Sequence, residues 1–122
     1  MFEITPEQMR IYKRTARERQ ARDEQQMQVR RQAAWDAARQ AARWLKDKYG
    51  ATRVIAFGSL AHGAWFHARS DIDLAVVGLS PDNYFPAWAS LDHLDIPFEI
   101  DLVRYETAPP QLRVSIDAGV EL

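Results

Sequence analysis

The sequence predicts an α/β (α+β) fold in which helices flank a small mixed β-sheet and a long N-terminal helix comes first. Before residue 50 apolar residues recur at helical spacing, and after it three short apolar segments alternate with helical ones. The charge balance changes at the same point, with 12 Lys/Arg against 7 Asp/Glu in residues 1–50 and 4 against 10 in residues 51–122. This asymmetry predicts two parts with different surfaces.

The first helix has recognisable start and end signals. Thr5 suits the N-cap, Pro6 the first helical position, Gln8 the capping box and Gly50 the C-terminal end. An alanine-rich apolar stripe along residues 28–48 predicts that this stretch docks on the core.

The preceding stretch, residues 6–27, has almost nothing to bury and is predicted to form a polar helical arm. We therefore expect an arm over residues 1–27 and a folded domain over residues 28–122. Two interpretations of the arm stay open, a solvated helix stabilised by i,i+4 charge pairs and a docking surface for a partner. Nucleic-acid binding is disfavoured, because acidic residues intersperse the basic ones and no aromatic platform accompanies them.

The remaining elements follow from apolar runs and from turn residues. Buried strands are predicted over residues 53–57, 71–77 and 98–103, and helices over residues 60–66, 82–94 and 110–118.

The composition restricts the class of protein. The absence of cysteine excludes a disulfide framework and a Cys-ligated zinc site, and it fits a reducing cytoplasm. The N-terminus lacks the pattern of a secretory signal, and no eighteen apolar residues run together. We expect a soluble cytoplasmic protein that does not contact a membrane.

Two polar patterns point to chemistry. Gly58 and Ser59 end the first strand, where a glycine allows close backbone approach and a serine can cap a following helix whose free N–H groups favour phosphate. A plain turn explains this pair equally well when it is considered alone. Asp71 and Asp73 lie two residues apart, so on a strand they share a face, and Mg²⁺ is the cation that such paired carboxylates favour.

Asp101 interrupts an apolar strand, with Phe98, Ile100 and Leu102 on the other face. An edge-strand charge would explain Asp101 alone, and water-exposed acids would explain the Asp71 pair alone. If the two strands are neighbours, however, the three carboxylates form one cluster that could hold metal ions for phosphoryl or nucleotidyl transfer.

The runs FGSLAHGAWFHARSDIDLAVVG (Phe57 to Gly78) and FEIDLV (Phe98 to Val103) resemble the minimal nucleotidyltransferases of the DNA polymerase beta superfamily. The resemblance covers about residues 50–122, and it makes the domain over residues 28–122 a nucleotidyltransferase domain. It implies ATP as donor and Mg²⁺ as cofactor, with the triphosphate on Gly58 and Ser59. It also implies metal ligation by the three aspartates, Asp101 serving as ligand, as base for the acceptor hydroxyl, or as both. Many relatives carry an arginine near the Gly-Ser pair, where this chain has Leu60 and His62. Arg69, Arg53 or no side chain must take its place, and Arg69 is the nucleotide-binding residue that we expect.

The resemblance also implies a partner. Small stand-alone members of this family resemble antitoxins that adenylylate a tyrosine of a cognate HEPN-family toxin, with which the chain would form a hetero-oligomer. Two alternatives stay open: a binding module that neutralises its partner by contact alone, and nucleotidyl transfer to a small molecule such as an aminoglycoside.

Overall fold

One uninterrupted helix, α1, runs from Pro6 to Tyr49 in the computed structural model, which describes residues 3–63 and 70–122. The predicted capping box is confirmed, since the Thr5 side chain accepts a hydrogen bond from the Gln8 N–H and the Gln8 side chain accepts one from the Thr5 N–H. Gly50 ends the helix in the left-handed conformation, at φ 74°. Residues close to each end of α1 therefore determine where the helix begins and where it ends.

Only the C-terminal part of α1 packs against the rest of the molecule. Its buried residues begin at Ala34 and occupy one face at helical spacing: Ala34, Ala37, Ala38, Ala41, Ala42 and Leu45. Small side chains on this face let the helix axis approach the sheet closely. The helix continues through residue 27 without a break, and the division of the chain there stays a prediction.

The sheet has four strands in the order β3-β2-β1-β4. These are β1 (Arg53–Phe57), β2 (Ile72–Val77), β3 (Ile100–Arg104) and β4 (Val120–Glu121). β1 pairs antiparallel with β2 and with β4, while β2 and β3 are parallel, so the predicted mixed sheet is confirmed. The two-residue β4 is too short to give an alternating pattern, and the sequence did not predict it.

The short helices connect these strands. They are α2 (Ser59–His62), α3 (Pro81–Ser90) and α4 (Pro110–Asp117), with 3₁₀ turns at Leu91–His93 and Tyr105–Thr107. The helix predicted over residues 82–94 thus ends as α3 at Ser90 and continues as a 3₁₀ turn. Part of the helix predicted over residues 60–66 lies outside the described residues.

The sheet has a separate apolar cluster on each face. On one face, Ile72, Leu74 and Leu102 pack against α1 and α3 in the larger core. On the other face, the smaller cluster centres on Ile55, Phe57, Ala75, Ala108 and Ile116, the last of which belongs to α4. Because strand side chains alternate, the odd-numbered residues of β2 and β3 share this second face.

Among the helices in the described part of the chain, none is both long and apolar enough to cross a membrane.

Candidate active site

The parallel pairing of β2 with β3 brings two of the predicted aspartates together. Asp73 lies opposite Asp101 in the register of the two strands. Their neighbours in the chain, Ile72, Leu74 and Leu102, are buried toward α1, so the two carboxylates lie on the opposite face of the sheet. The juxtaposition on which the sequence argument depended is therefore present in the fold.

Gly58 completes this group from the neighbouring strand. Asp73 pairs on its other side with Phe57, the last residue of β1, and Gly58 follows directly. Gly58 has φ 74° and ψ −147°, a conformation that essentially only glycine adopts. A Cβ at this position would collide with Oδ2 of Asp73. The turn thus requires the glycine, and a larger residue there would also displace the Asp73 carboxylate.

Ser59 does not have the capping position that the sequence suggested. It is the first residue of α2, Gly58 occupies the N-cap, and no side-chain hydrogen bond caps this end of the helix. The reason is the tight turn at Gly58, which starts α2 one residue earlier than expected. The first amides of α2 have no partner within the helix and lie next to Gly58, at the end of β1 where Asp73 is paired.

Asp71 precedes β2 by one residue and is exposed. The negative charge of Asp71 nevertheless affects the ionisation of Asp73. The pKa of Asp73 is raised to about 6 from 3.8, first by burial and then by repulsion from Asp101 and Asp71. A carboxylate whose ionisation is opposed by two others is a site where a divalent cation would relieve repulsion.

The donor types fit Mg²⁺, which takes oxygen ligands and often binds one or two carboxylates together with substrate phosphates. Within residues 3–63 and 70–122, however, no three acidic, His or Cys side chains are arranged so that they could hold a metal ion by themselves. The described side chains alone therefore do not complete a metal site. The roles predicted for Asp71, Asp73 and Asp101 stay predictions.

Two side chains of α3 hold the strand that carries Asp101. Because β3 is an edge strand, its outer carbonyl groups have no neighbouring strand. The Trp88 indole N–H donates to the Ile100 carbonyl at 2.9 Å, and the Tyr84 hydroxyl donates to the Leu102 carbonyl. The carbonyls on either side of Asp101 are thus both satisfied, which positions its backbone.

The predicted nucleotide-binding residue Arg69 lies outside the described residues. The structure instead shows another arginine beside α2, since the Arg31 guanidinium packs against Gly63 at the C-terminal end of that helix. A cation there interacts favourably with the helix dipole. Arg31 shares a helix face with the buried Ala34 and Ala38, and a charge in line with an apolar stripe was the sequence signal that could have identified it.

Comparison with known proteins agrees with this architecture. The family described as polymerase beta, nucleotidyltransferase matches residues 40–122. None of the curated proteins matches the chain.

Two solved structures are similar in fold. A structure determined for a candidate minimal nucleotidyltransferase has 27% identity and a TM-score of 0.50, and the match covers 80% of this chain and 93% of that one. A crystal structure of a mutant of the toxin–antitoxin MntA–HpeT has 20% identity and a TM-score of 0.56, with 69% of this chain and 70% of that chain covered. The second likeness shows the fold alone. The family match over most of the chain shows that this protein belongs to the polymerase beta nucleotidyltransferase family.

Proposed function

We propose that this protein transfers AMP from ATP, with Mg²⁺, to a tyrosine hydroxyl of a cognate HEPN-family toxin, and that this modification silences the toxin. The observation that carries the proposal is the pairing of Asp73 with Asp101 on adjacent parallel strands, with the Gly58 turn against the Asp73 carboxylate. The toxin–antitoxin context comes from the MntA–HpeT structure, whose fold this chain shares.

In this proposal the three aspartates share one task, and the Gly58 turn and Arg69 have another. Asp71, Asp73 and Asp101 supply oxygen ligands, and the nucleotide phosphates complete the coordination that the protein leaves open. Bound Mg²⁺ supplies charge neutralisation for the phosphates and the leaving group. The Gly58 turn and the first N–H groups of α2, beginning with that of Ser59, donate hydrogen bonds to the triphosphate, and Arg69 is a further phosphate contact.

Asp101 is the residue that removes the proton from the acceptor hydroxyl. Its side chain is exposed, so an incoming hydroxyl can reach it, whereas Asp73 is half-buried beneath the Gly58 turn. The remaining contribution of the protein is to hold donor and acceptor in line, since most of the catalysis in such transfers comes from positioning and electrostatics.

Intact-mass spectrometry of the cognate toxin tests the proposal directly. After incubation with this protein, Mg²⁺ and ATP, the toxin should gain one or more AMP units on a tyrosine. The Asp73→Asn variant should abolish the gain, because it removes a ligand without changing shape. Asp36→Asn, which alters an exposed carboxylate on α1 that pairs with Arg39, is the matched control and should leave the gain intact.

A contact-only antitoxin is the second candidate, and the exposed helical stretch over residues 10–22 favours it as a ready surface for a partner. The Asp71→Ala/Asp73→Ala double variant separates the two. If the double variant still neutralises the toxin in cells, contact is sufficient and catalysis is not the mechanism. If neutralisation is lost while the toxin still binds, transfer is required.

A further inference from the structure

The four tyrosines of this chain differ in what their hydroxyl groups do. The Tyr49 hydroxyl donates to the Pro86 carbonyl at 3.3 Å, and the Tyr105 hydroxyl donates to Asp117 Oδ1 at 3.0 Å. The Tyr84 hydroxyl donates to the Leu102 carbonyl. Tyr12 is the exception within the described residues, because its hydroxyl makes no hydrogen bond to them and the residue is 70% exposed.

Tyr12 lies too far along α1 to reach the active site of its own molecule. It precedes Arg30, whose guanidinium already lies over the Phe98 ring, by 18 positions, or about 27 Å at 1.5 Å per residue. Between these two residues α1 is continuous. Tyr12 could therefore reach Asp73 of its own chain only if the helix broke, whereas a second copy of the chain can receive it without any change of fold.

The charge around Tyr12 is opposite in sign to that of the half of the chain that carries the active site. Residues 10–22 contain six Lys/Arg and one Asp/Glu, and every one of them is exposed. Residues 51–122, by contrast, contain 4 Lys/Arg and 10 Asp/Glu. Opposite charges of this kind steer two molecules together, and a basic segment also favours a bound nucleotide triphosphate.

Apolar surface lies beside Tyr12 as well. Ile4 is 62% exposed and Ile11 is 50% exposed. Exposed large apolar side chains grouped around an aromatic ring give a second molecule something to bury when it docks.

We propose that Tyr12 is itself a nucleotidyl acceptor, modified in trans by the active site of a second copy of this chain. The proposal rests on the proposed function and extends it from the toxin to the enzyme. The Tyr12 phenolic oxygen attacks the α-phosphorus of ATP and forms an O–P bond, while the bond from that phosphorus to the bridging oxygen breaks and pyrophosphate leaves. The phenolic proton passes to Asp101 of the receiving copy and then to water. A phenol loses its proton more readily than the aliphatic hydroxyls of the arm, which makes Tyr12 the favoured acceptor there.

The test separates the enzyme from the acceptor by using two variants of the full chain. Tyr12→Phe serves as enzyme, since it retains the active site, and Asp73→Asn with a mass tag serves as acceptor, since it retains Tyr12. After mixing with Mg²⁺ and ATP, the tagged acceptor should gain one AMP, and peptide mapping should place it on Tyr12. The acceptor alone should gain none.

Two controls make the assignment specific. A tagged acceptor that carries Tyr12→Phe in addition to Asp73→Asn should lose the modification completely. One that carries Tyr49→Phe in addition should keep it, because the Tyr49 hydroxyl is engaged with Pro86. In wild-type protein the initial rate per molecule should rise with protein concentration, because the transfer is bimolecular.

Running the cognate toxin in parallel distinguishes the two proposals. AMP on the toxin with none on Tyr12 overturns this inference and leaves the proposed function standing. AMP on a different residue of the arm, or a rate per molecule that does not depend on concentration, also overturns it. If neither the toxin nor Tyr12 is modified by the wild-type protein, both proposals fail.

Discussion

The two ends of α1 share one continuous helical backbone and have opposite surroundings. From Ala34 to Leu45 six side chains are buried against the sheet, whereas residues 10–22 are exposed throughout. The N-terminal end depends on a capping box and on its own helix propensity, and the C-terminal end depends on burial of apolar surface. Local signals therefore determine where this helix forms. Packing determines which part of it contributes to the stability of the domain.

The largest expected difference in stability comes from matched side-chain truncations to alanine, one at each end of α1. Leu45→Ala should lower the free energy of unfolding by about 3 kcal/mol, because it opens a cavity at a fully buried position. Ile11→Ala should change it by less than about 0.5 kcal/mol, because that side chain is half exposed and lies outside both apolar clusters. Urea denaturation of both variants is the measurement. Similar losses in the two variants would mean that the arm folds as part of the domain.

A second pair of variants compares two glycines with the same φ of 74°. Gly58→Ala should lower the free energy of unfolding by about 2 kcal/mol or more, since its ψ is unsuited to alanine and its Cβ would strike Asp73. Gly50→Ala should lower it by only about 1 kcal/mol, because Gly50 is in the left-handed helical region and nothing lies within 4 Å of its Cβ position. Equal losses in denaturation would show that neither the ψ of Gly58 nor its contact with Asp73 contributes to stability.

Asp73 should be an exception to the rule that substitutions in the packed region destabilise. Its pKa is raised in the folded protein, so the protonated carboxyl stabilises the fold below the unfolded value of 3.8, and this stabilisation is lost as the pH rises through about 6. Without metal at pH 7, Asp73→Asn should therefore raise the free energy of unfolding, by about 1 kcal/mol once solvent screening of the half-exposed group is allowed for.

Urea denaturation in EDTA between pH 4 and pH 8 checks this expectation. The advantage of Asp73→Asn over wild type should shrink as the pH falls toward 4. The exposed control Asp36→Asn should stay within about 0.5 kcal/mol of wild type. A variant that is less stable than wild type at pH 7 would mean that the carboxylate is stabilised by its neighbours and not repelled by them.

The smallest expected effect on the whole protein comes from the cap of the arm. Thr5→Ala removes the capping-box acceptor and should destabilise the first turns of α1 locally by about 1 kcal/mol. The free energy of global unfolding should change by less than about 0.5 kcal/mol, because this end of the helix buries no side chain. Hydrogen exchange should therefore accelerate only in the arm, and a loss of global stability of about 1 kcal/mol would show that the two ends are coupled.

Sequence reasoning predicted the elements whose signals are local. The caps of α1 and the span of β1 are confirmed. The mixed sheet is also confirmed, although its prediction came from the alternation of strands and helices along the chain and not from a local signal. It missed β4, because two residues carry no periodicity, and it placed Ser59 at the cap that Gly58 occupies. It did not identify Arg31, whose contact with Gly63 depends on how α1 crosses α2.

The sequence by itself determined the chemistry that is available, namely three aspartates, a Gly-Ser turn and an exposed basic helix, because residue type and local spacing carry that information. Only the tertiary structure decided that Asp73 faces Asp101, that Gly58 lies against Asp73, and that Tyr12 is exposed on the part of α1 that buries no side chain. Strand order and register join residues that are distant in the chain, and they are set by the fit of whole apolar faces rather than by any single motif.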